Sequence, residues 1–285
     1  MRNNNVLSLV GSLLLISFFF YSCQKSIDKN ADEVSTAARS SGTGRRGMTP
    51  YKFERINRHN FDSQGWKEQQ VNIAAGVTVF SDSSDLVEIV CGPKNGSDPR
   101  LIPGCITMNL PTSADPTLRR IRLRRGGYSG TRLADLTELK YSTYVVNNAP
   151  TIMVLQVDVT GDDTKDFNIF FSPTERWQGS GYPPVLPDTW QQWDALQGTW
   201  HYEAVTISGL PEKSTIGELV ALYPGARIID TTPEGHNGEG VRFTIGGNPR
   251  SDYDNTVGYF DALIIGTRQE QHSTLYDFMC DQSGN

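Results

Sequence analysis

Thr151-Ile152-Met153-Val154-Leu155-Gln156-Val157-Asp158 and Phe167-Asn168-Ile169-Phe170-Phe171 are two short apolar runs separated by a segment of small, polar and acidic residues. Runs of this length, bounded by turn formers, read as strands. Thr160-Gly161-Asp162-Asp163-Thr164-Lys165 between them has the composition of a hairpin loop. In the second run Phe167, Ile169 and Phe171 share one face, with Asn168 and Phe170 on the other. Both faces are partly apolar, which predicts a strand in the middle of a sheet rather than at its edge.

The same signal recurs on either side of the hairpin. Apolar alternation bounded by Gly, Pro, Asn and Asp predicts further strands at 77–80, 86–91, 105–109, 118–123, 138–146, 199–207, 241–245, 257–265 and 274–278. With the hairpin this makes eleven or more short, mainly antiparallel strands, the pattern of an all-β sandwich. A single short helix interrupts it. Thr215-Ile216-Gly217-Glu218 fits a capping box, Ile216, Leu219, Val220 and Tyr223 follow helical spacing, and Pro224-Gly225 ends it. Its expected role is a lid over one end of the sandwich. Residues 49–285 contain no linker-like stretch and no repeat, so they are expected to form one domain.

The chain begins with Met1-Arg2, three asparagines, an apolar run from Val6 to Phe20, and then Tyr21-Ser22-Cys23. These are the n-region, h-region and cleavage site of an export signal. An h-region of this length spans roughly 22 Å as a helix, short of the roughly 30 Å hydrocarbon core of a bilayer. A small residue followed by cysteine resembles the lipobox of bacterial lipoprotein signal peptides. That resemblance implies removal of residues 1–22 and acylation of Cys23, which holds the chain to a membrane. Several acyl chains, at about 0.8 kcal/mol per buried methylene, give stable attachment. Residues 23–48 lack apolar periodicity and are expected to be a disordered tether with an r.m.s. span of about 28 Å. Gln24 stands where inner-membrane retention uses Asp, so the expected location is outside the cytoplasm, at the outer membrane or cell surface.

The chain carries 26 basic and 32 acidic residues, a net charge of −6. This balance argues against a nucleic-acid partner. Of the four cysteines, lipidation of Cys23 leaves three. Cys91 and Cys105 flank a loop of turn formers, and an oxidising compartment permits a disulfide between them, contributing about 3 kcal/mol for a loop of about 15 residues. The alternative is three small buried thiols. Cys280 is left over in either case.

Gly258-Tyr259-Phe260-Asp261-Ala262-Leu263-Ile264-Ile265-Gly266-Thr267 followed by Thr274-Leu275-Tyr276-Asp277-Phe278 resembles the last two strands of jelly-roll modules of secreted and surface bacterial proteins. These modules are similar to concanavalin-like and carbohydrate-binding sandwiches. Residues 135–144, 154–158 with Phe170-Phe171, and Trp190-Gln191-Gln192-Trp193-Asp194-Ala195-Leu196 match further pieces in order, so that the resemblance covers roughly residues 118–278. It implies a jelly-roll architecture and assigns no catalytic residue.

Three groups of residues are candidates for a site. The first is the acidic hairpin, with Asp158, Asp162, Asp163 and Asp166, which offers hard oxygens for a structural calcium such as jelly-roll modules often carry. Asp163 stands where a calcium loop needs Gly, however, and Ile169 where it needs Glu; the alternative is a solvated turn. The second is the aromatic-rich stretch containing Trp177, Tyr182, Trp190, Trp193, Trp200 and Tyr202, from which Trp177 and Tyr182 are expected in an exposed loop as platforms for sugar rings. The third is Leu118–Arg125, where Arg120, Arg122 and Arg124 share the face opposite Ile121 and Leu123. They form either a site for acidic glycan or phosphate or a face paired with carboxylates.

No HExxH, GxSxG or phosphate-binding loop is present, and the four histidines are scattered. The reading is therefore a non-catalytic binding module for a polysaccharide. Its rivals are an adhesive protein that binds other proteins and a polysaccharide-cleaving enzyme, which needs only a pair of carboxylates.

Overall fold

The computed structural model describes residues 51–81, 85–93, 103–112, 117–146, 150–174, 178–179, 182–202, 212–230, 240–247 and 255–280. These belong to a compact unit spanning Thr43–Asn285. The leader at 1–22, Cys23, the tether at 23–48 and Trp177 lie outside the described residues.

In chain order the strands are β1 (Lys52–Ile56), β2 (Trp66–Ala74), β3 (Val77–Ser81), β4 (Val87–Val90), β5 (Cys105–Leu110), β6 (Leu118–Arg125), β7 (Leu136–Val145) and β8 (Ile152–Asp158). They continue with β9 (Phe167–Phe171), β10 (Trp190–Asp194), β11 (Thr199–Tyr202), β12 (Lys213–Thr215), β13 (Arg227–Ile228), β14 (Val241–Gly246), β15 (Thr256–Thr267) and β16 (Thr274–Phe278). A seven-stranded sheet has the path β1-β16-β15-β5-β4, with β7 on β15 and β10 on β7. A nine-stranded sheet runs β12-β11-β9-β8-β14-β6-β2-β3, with β13 on β8. The two sheets form a β-sandwich. Among the described residues the paired strands are antiparallel except β1 on β16, which is parallel, and one isolated parallel bridge joins Val145 to Pro187.

The hairpin predicted at 151–171 is β8–β9, and β9 lies between β8 and β11 as an internal strand. Phe167, Ile169 and Phe171 are buried in the main core, with Asn168 and Phe170 on the outer side. Aromatic rings fill the space between the sheets. Phe243 of β14 and Phe260 of β15 meet at 4.0 Å between centroids, and Tyr141 packs against both. Trp66 of β2 packs edge-on to Tyr276 and Phe278 of β16.

Strand β15 holds the seven-stranded sheet together by changing partners. Residues 256–260 pair with β5 and residues 263–265 with β16, while β7 follows its other side. The change occurs at a bulge between Asp261 and Ile264, where Ala262 has a φ of 55°. Helix α1 (Ile216–Leu222) carries both halves of its capping box and buries Ile216 and Leu219.

The disulfide reading is corrected by the structure. Cys91 is bonded to Cys280, and Cys105 is a buried free thiol. In the β4–β5 ladder Cys105 stands opposite Val90, and the next residue along, Cys91, points to the other side of the sheet. Proximity in sequence therefore did not become proximity of side chains. The chain after β16 is instead drawn to Cys91, with Met279 N–H donating to Ile56 O and Cys280 N–H to Pro103 O.

Candidate functional site

The acidic hairpin spends its carboxylates on its own turn. Asp158 accepts from the N–H groups of Gly161 and Asp163 and from Arg227 of β13. Arg227 also pairs with Asp163 at 2.9 Å. Asp166 accepts from Val159 N–H and Thr160 N–H, and Asp162 from Thr164. Burial alone would raise the Asp158 carboxyl, but the Gly161 N–H, Arg227 and the Asp163 N–H hold it below the usual carboxylate range. Among the described residues no three Asp, Glu, His or Cys converge on a point that could hold a metal. The Arg227 guanidinium bridges two of the four aspartates, Asp158 and Asp163.

The arginine strand behaves as its alternation predicts, but its face is open only in part. Arg120, Arg122 and Arg124 lie opposite the core face of β6, beside Val71, Gln69 and Lys67 of β2 and Gly246, Thr244 and Arg242 of β14. Arg124 is 1% exposed and Arg242 3%, which takes Arg124 out of reach of a ligand, while Arg120 and Arg122 are half-buried. Arg122 donates to Gln69 and lies over the Phe80 ring, and Arg242 donates to Asn168. Tyr182 is likewise not an open platform. It is half-buried, stacked on Trp193 at 6.0 Å and edge-on to Phe171, and burial pushes its phenol up to about 12. Trp193 and Trp200 are buried, their indole N–H groups donating to Thr143 Oγ1 and Ala195 O.

The opposite side of the sandwich, the outer face of the seven-stranded sheet, has a different character. In register across it stand Trp190 of β10, Tyr144 of β7, Tyr259 of β15, Thr107 of β5 and Glu88 of β4. Their orientation follows from the core. Leu139 and Tyr141 are buried between the sheets, which turns Lys140, Ser142 and Tyr144 outward. Phe260 points inward, so Tyr259 points out. The Tyr144 ring lies 5.8 Å from Trp190 and 5.8 Å from Tyr259, edge-on to the latter.

Trp190 and Tyr259 are half-buried, Tyr144 is almost covered between them, and the Trp190 indole N–H has no acceptor. Polar groups border the row. Asp188 accepts from the Tyr144 hydroxyl at 3.4 Å and adopts a φ of 53°, a conformation that aspartate tolerates better than most residues. Burial, with Asp188 beside it, raises the Tyr144 phenol and keeps it a donor. Gln192 and Glu88 are exposed, and Val146 and Leu186 are among the few large apolar side chains left open. A half-open aromatic strip with apolar neighbours and a polar border suits a ligand that presents both C–H faces and hydroxyls.

The sequence reading included Trp190 among the tryptophans but placed the platform on Trp177 and Tyr182. The missing signal was parity. Residues three apart on a strand face opposite sides, so a buried Trp193 requires an outward Trp190, and a buried Tyr141 an outward Tyr144.

Among the described residues no helix is long and apolar enough to cross a membrane. No protein-family model matches the chain, and no curated protein matches it. Among solved structures it is similar to SGBP-B from a complex xyloglucan utilization locus in Bacteroides uniformis, at 11% identity and a TM-score of 0.30. The similarity covers 70% of this chain and 56% of that one, so the chain spans little more than half that protein's length, and a likeness this loose carries no argument about fold or ligand.

Proposed function

We propose that the chain is an exported lipoprotein, anchored outside the cytoplasm through acyl chains on Cys23, whose sandwich binds a polysaccharide without catalysing a reaction on it. The observation that carries the binding role is the in-register row Trp190–Tyr144–Tyr259 with Asp188 and Gln192 at its border. Sugar rings place axial C–H groups against aromatic faces, and their hydroxyls pair with carboxylates and amides. The anchor rests on the leader sequence and on Cys23. A tether of about 28 Å lets the sandwich reach polymers beyond the headgroups.

Affinity electrophoresis of the full chain in gels containing neutral polysaccharides (β-glucan, xyloglucan, xylan, mannan) tests the binding role. Retardation by at least one polymer is expected, weakened about tenfold or more in Trp190→Ala or Tyr259→Ala, as for the loss of a central aromatic contact. Free migration in every gel, or unchanged retardation of both variants, would refute it. Mass spectrometry of the mature N-terminus tests the anchor, and an unmodified Met1 would rule it out.

A further inference from the structure

At the end of β6 the alternation turns Arg125 inward, opposite Trp66 in the β2–β6 register. Its guanidinium emerges among three rings, with its centre 6.0 Å from Trp66, 5.6 Å from Tyr128 and 5.0 Å from Tyr276. These rings are buried, and the Tyr128 and Tyr276 hydroxyls share a hydrogen bond of 2.6 Å. Arg125 is therefore clamped and has little conformational entropy left to lose.

The clamp stands at the wall of an open cleft of about 460 Å³, lined by Glu54, Gln64, Gly65, Lys67, Arg125 and Asp230 among others. Arg125 Nη2 donates to the Tyr276 hydroxyl at 3.1 Å and Nη1 to Gly126 O, while Nε has no partner. Among the described residues no carboxylate lies within ion-pair distance of it, and Asp230, which lines the same cleft, interacts with it only through space. The two carboxylates of the cleft are otherwise engaged. Glu54 takes Lys52 at 2.7 Å, and Asp230 Oδ2 takes the Gly127 N–H at 2.7 Å. Burial also raises the Asp230 carboxyl, which reduces its opposition to an incoming negative charge. Close approach is kept open by Gly65, where a Cβ would lie 2.6 Å from Arg125 Nη1. A second cation, the exposed Lys67, stands on the rim.

A rigid, half-buried guanidinium with spare donors and, among the described residues, no carboxylate in direct ion-pair contact, facing an open cleft beside a lysine, has the chemistry of an oxyanion receptor. We propose that the Arg125–Lys67 cleft binds an oxyanion, the carboxylate or phosphate group of a small ligand or of a substituted sugar. This site is separate from the aromatic row and does not depend on the reading of that row.

Isothermal titration calorimetry of the full chain at low ionic strength, with D-galacturonate, inorganic phosphate and D-galactose as titrants, tests it. Saturable binding of galacturonate or phosphate, with none of galactose, is expected; which anion binds tighter assigns the group as carboxylate or phosphate. Arg125→Lys, which keeps the charge and loses the fork, should weaken binding about tenfold or more. Lys67→Ala, at an exposed position, should weaken it several-fold without changing the melting temperature, so the test survives if the Arg125 variant folds poorly. Trp190→Ala should leave anion binding intact. Anion heats no greater than those of galactose, or wild-type affinity in both Arg125→Lys and Lys67→Ala, would overturn the proposal.

Discussion

Replacing Cys280 with serine opens a bridge whose two ends are 189 residues apart in sequence. In the chain-entropy model, closing a loop of that length removes unfolded-state freedom worth about 5 kcal/mol, against about 3 kcal/mol for the loop of about 15 residues that a Cys91–Cys105 bond would close. The native contacts at this end persist without the bond, since Met279 N–H still reaches Ile56 O and Gly104 still packs beneath Phe278 O. The loss is therefore expected at about 3 to 5 kcal/mol, a fall of roughly 1 to 2 M in the urea midpoint for a domain of this size. Urea unfolding of wild type, Cys280→Ser, Cys91→Ser and Cys105→Ser under oxidising conditions reads this out. Cys280→Ser and Cys91→Ser should fall together, and Cys105→Ser should lose only the packing of one buried thiol. A stable Cys280→Ser beside a weakened Cys105→Ser would refute the pairing, as would a Cys91–Cys105 peptide in a non-reducing digest.

Tyr141→Phe removes the buried hydroxyl that donates to Thr151 O at 3.0 Å, and should cost about 1 to 2 kcal/mol in the same assay because the carbonyl loses its partner. The Asp158 carboxyl is held below its ordinary value, so its contribution is present above the unfolded pKa of about 3.9 and is lost as pH falls through the folded value; Asp158→Asn should lower stability at pH 7 and flatten the acid limb of the profile below about pH 4. Because Arg227 already bridges Asp158 and Asp163, adding calcium or a chelator should leave the melting temperature within about 1 °C, and a rise of several degrees with calcium, the mark of selective binding to the folded state, would contradict the hairpin geometry.

Much of the fold was legible because most strands announced themselves locally, while β1, β2, β10, β12 and β13 did not. The β8–β9 hairpin, the internal position of β9 and the capping box of α1 all follow from patterns within about ten residues. Strands β1 and β2 were less legible. Lys52-Phe53-Glu54-Arg55-Ile56 and the start of β2 carry charges on the exposed positions of edge or near-edge strands, and their pairing with distant partners stabilises them more than their own composition does. The disulfide failed for a related reason. Cys280 reaches Cys91 only after β16 has been placed in the sheet, and nothing near either cysteine encodes that.

The candidate sites required a second level of reading, the parity of each strand relative to the core. Alternation correctly put Arg120, Arg122 and Arg124 on one face, yet Arg124 is buried, whereas Arg125, one residue further, reaches an open cleft from the core side. Exposure thus depended on what lies beside a strand's end and not on its polar face. The aromatic row obeys the same logic in reverse. Trp190, Tyr144 and Tyr259 come from β10, β7 and β15, and their register is fixed by Trp193, Tyr141 and Phe260 on the buried side. A one-residue slip in any of the three strands would turn its ring into the core and a core ring outward, at a cost the packed interior does not permit. The row is therefore positioned by the core and owes little to contacts among its own rings. Removing the half-open Trp190 ring should impair recognition far more than it impairs folding, the combination that separates a binding surface from a structural one.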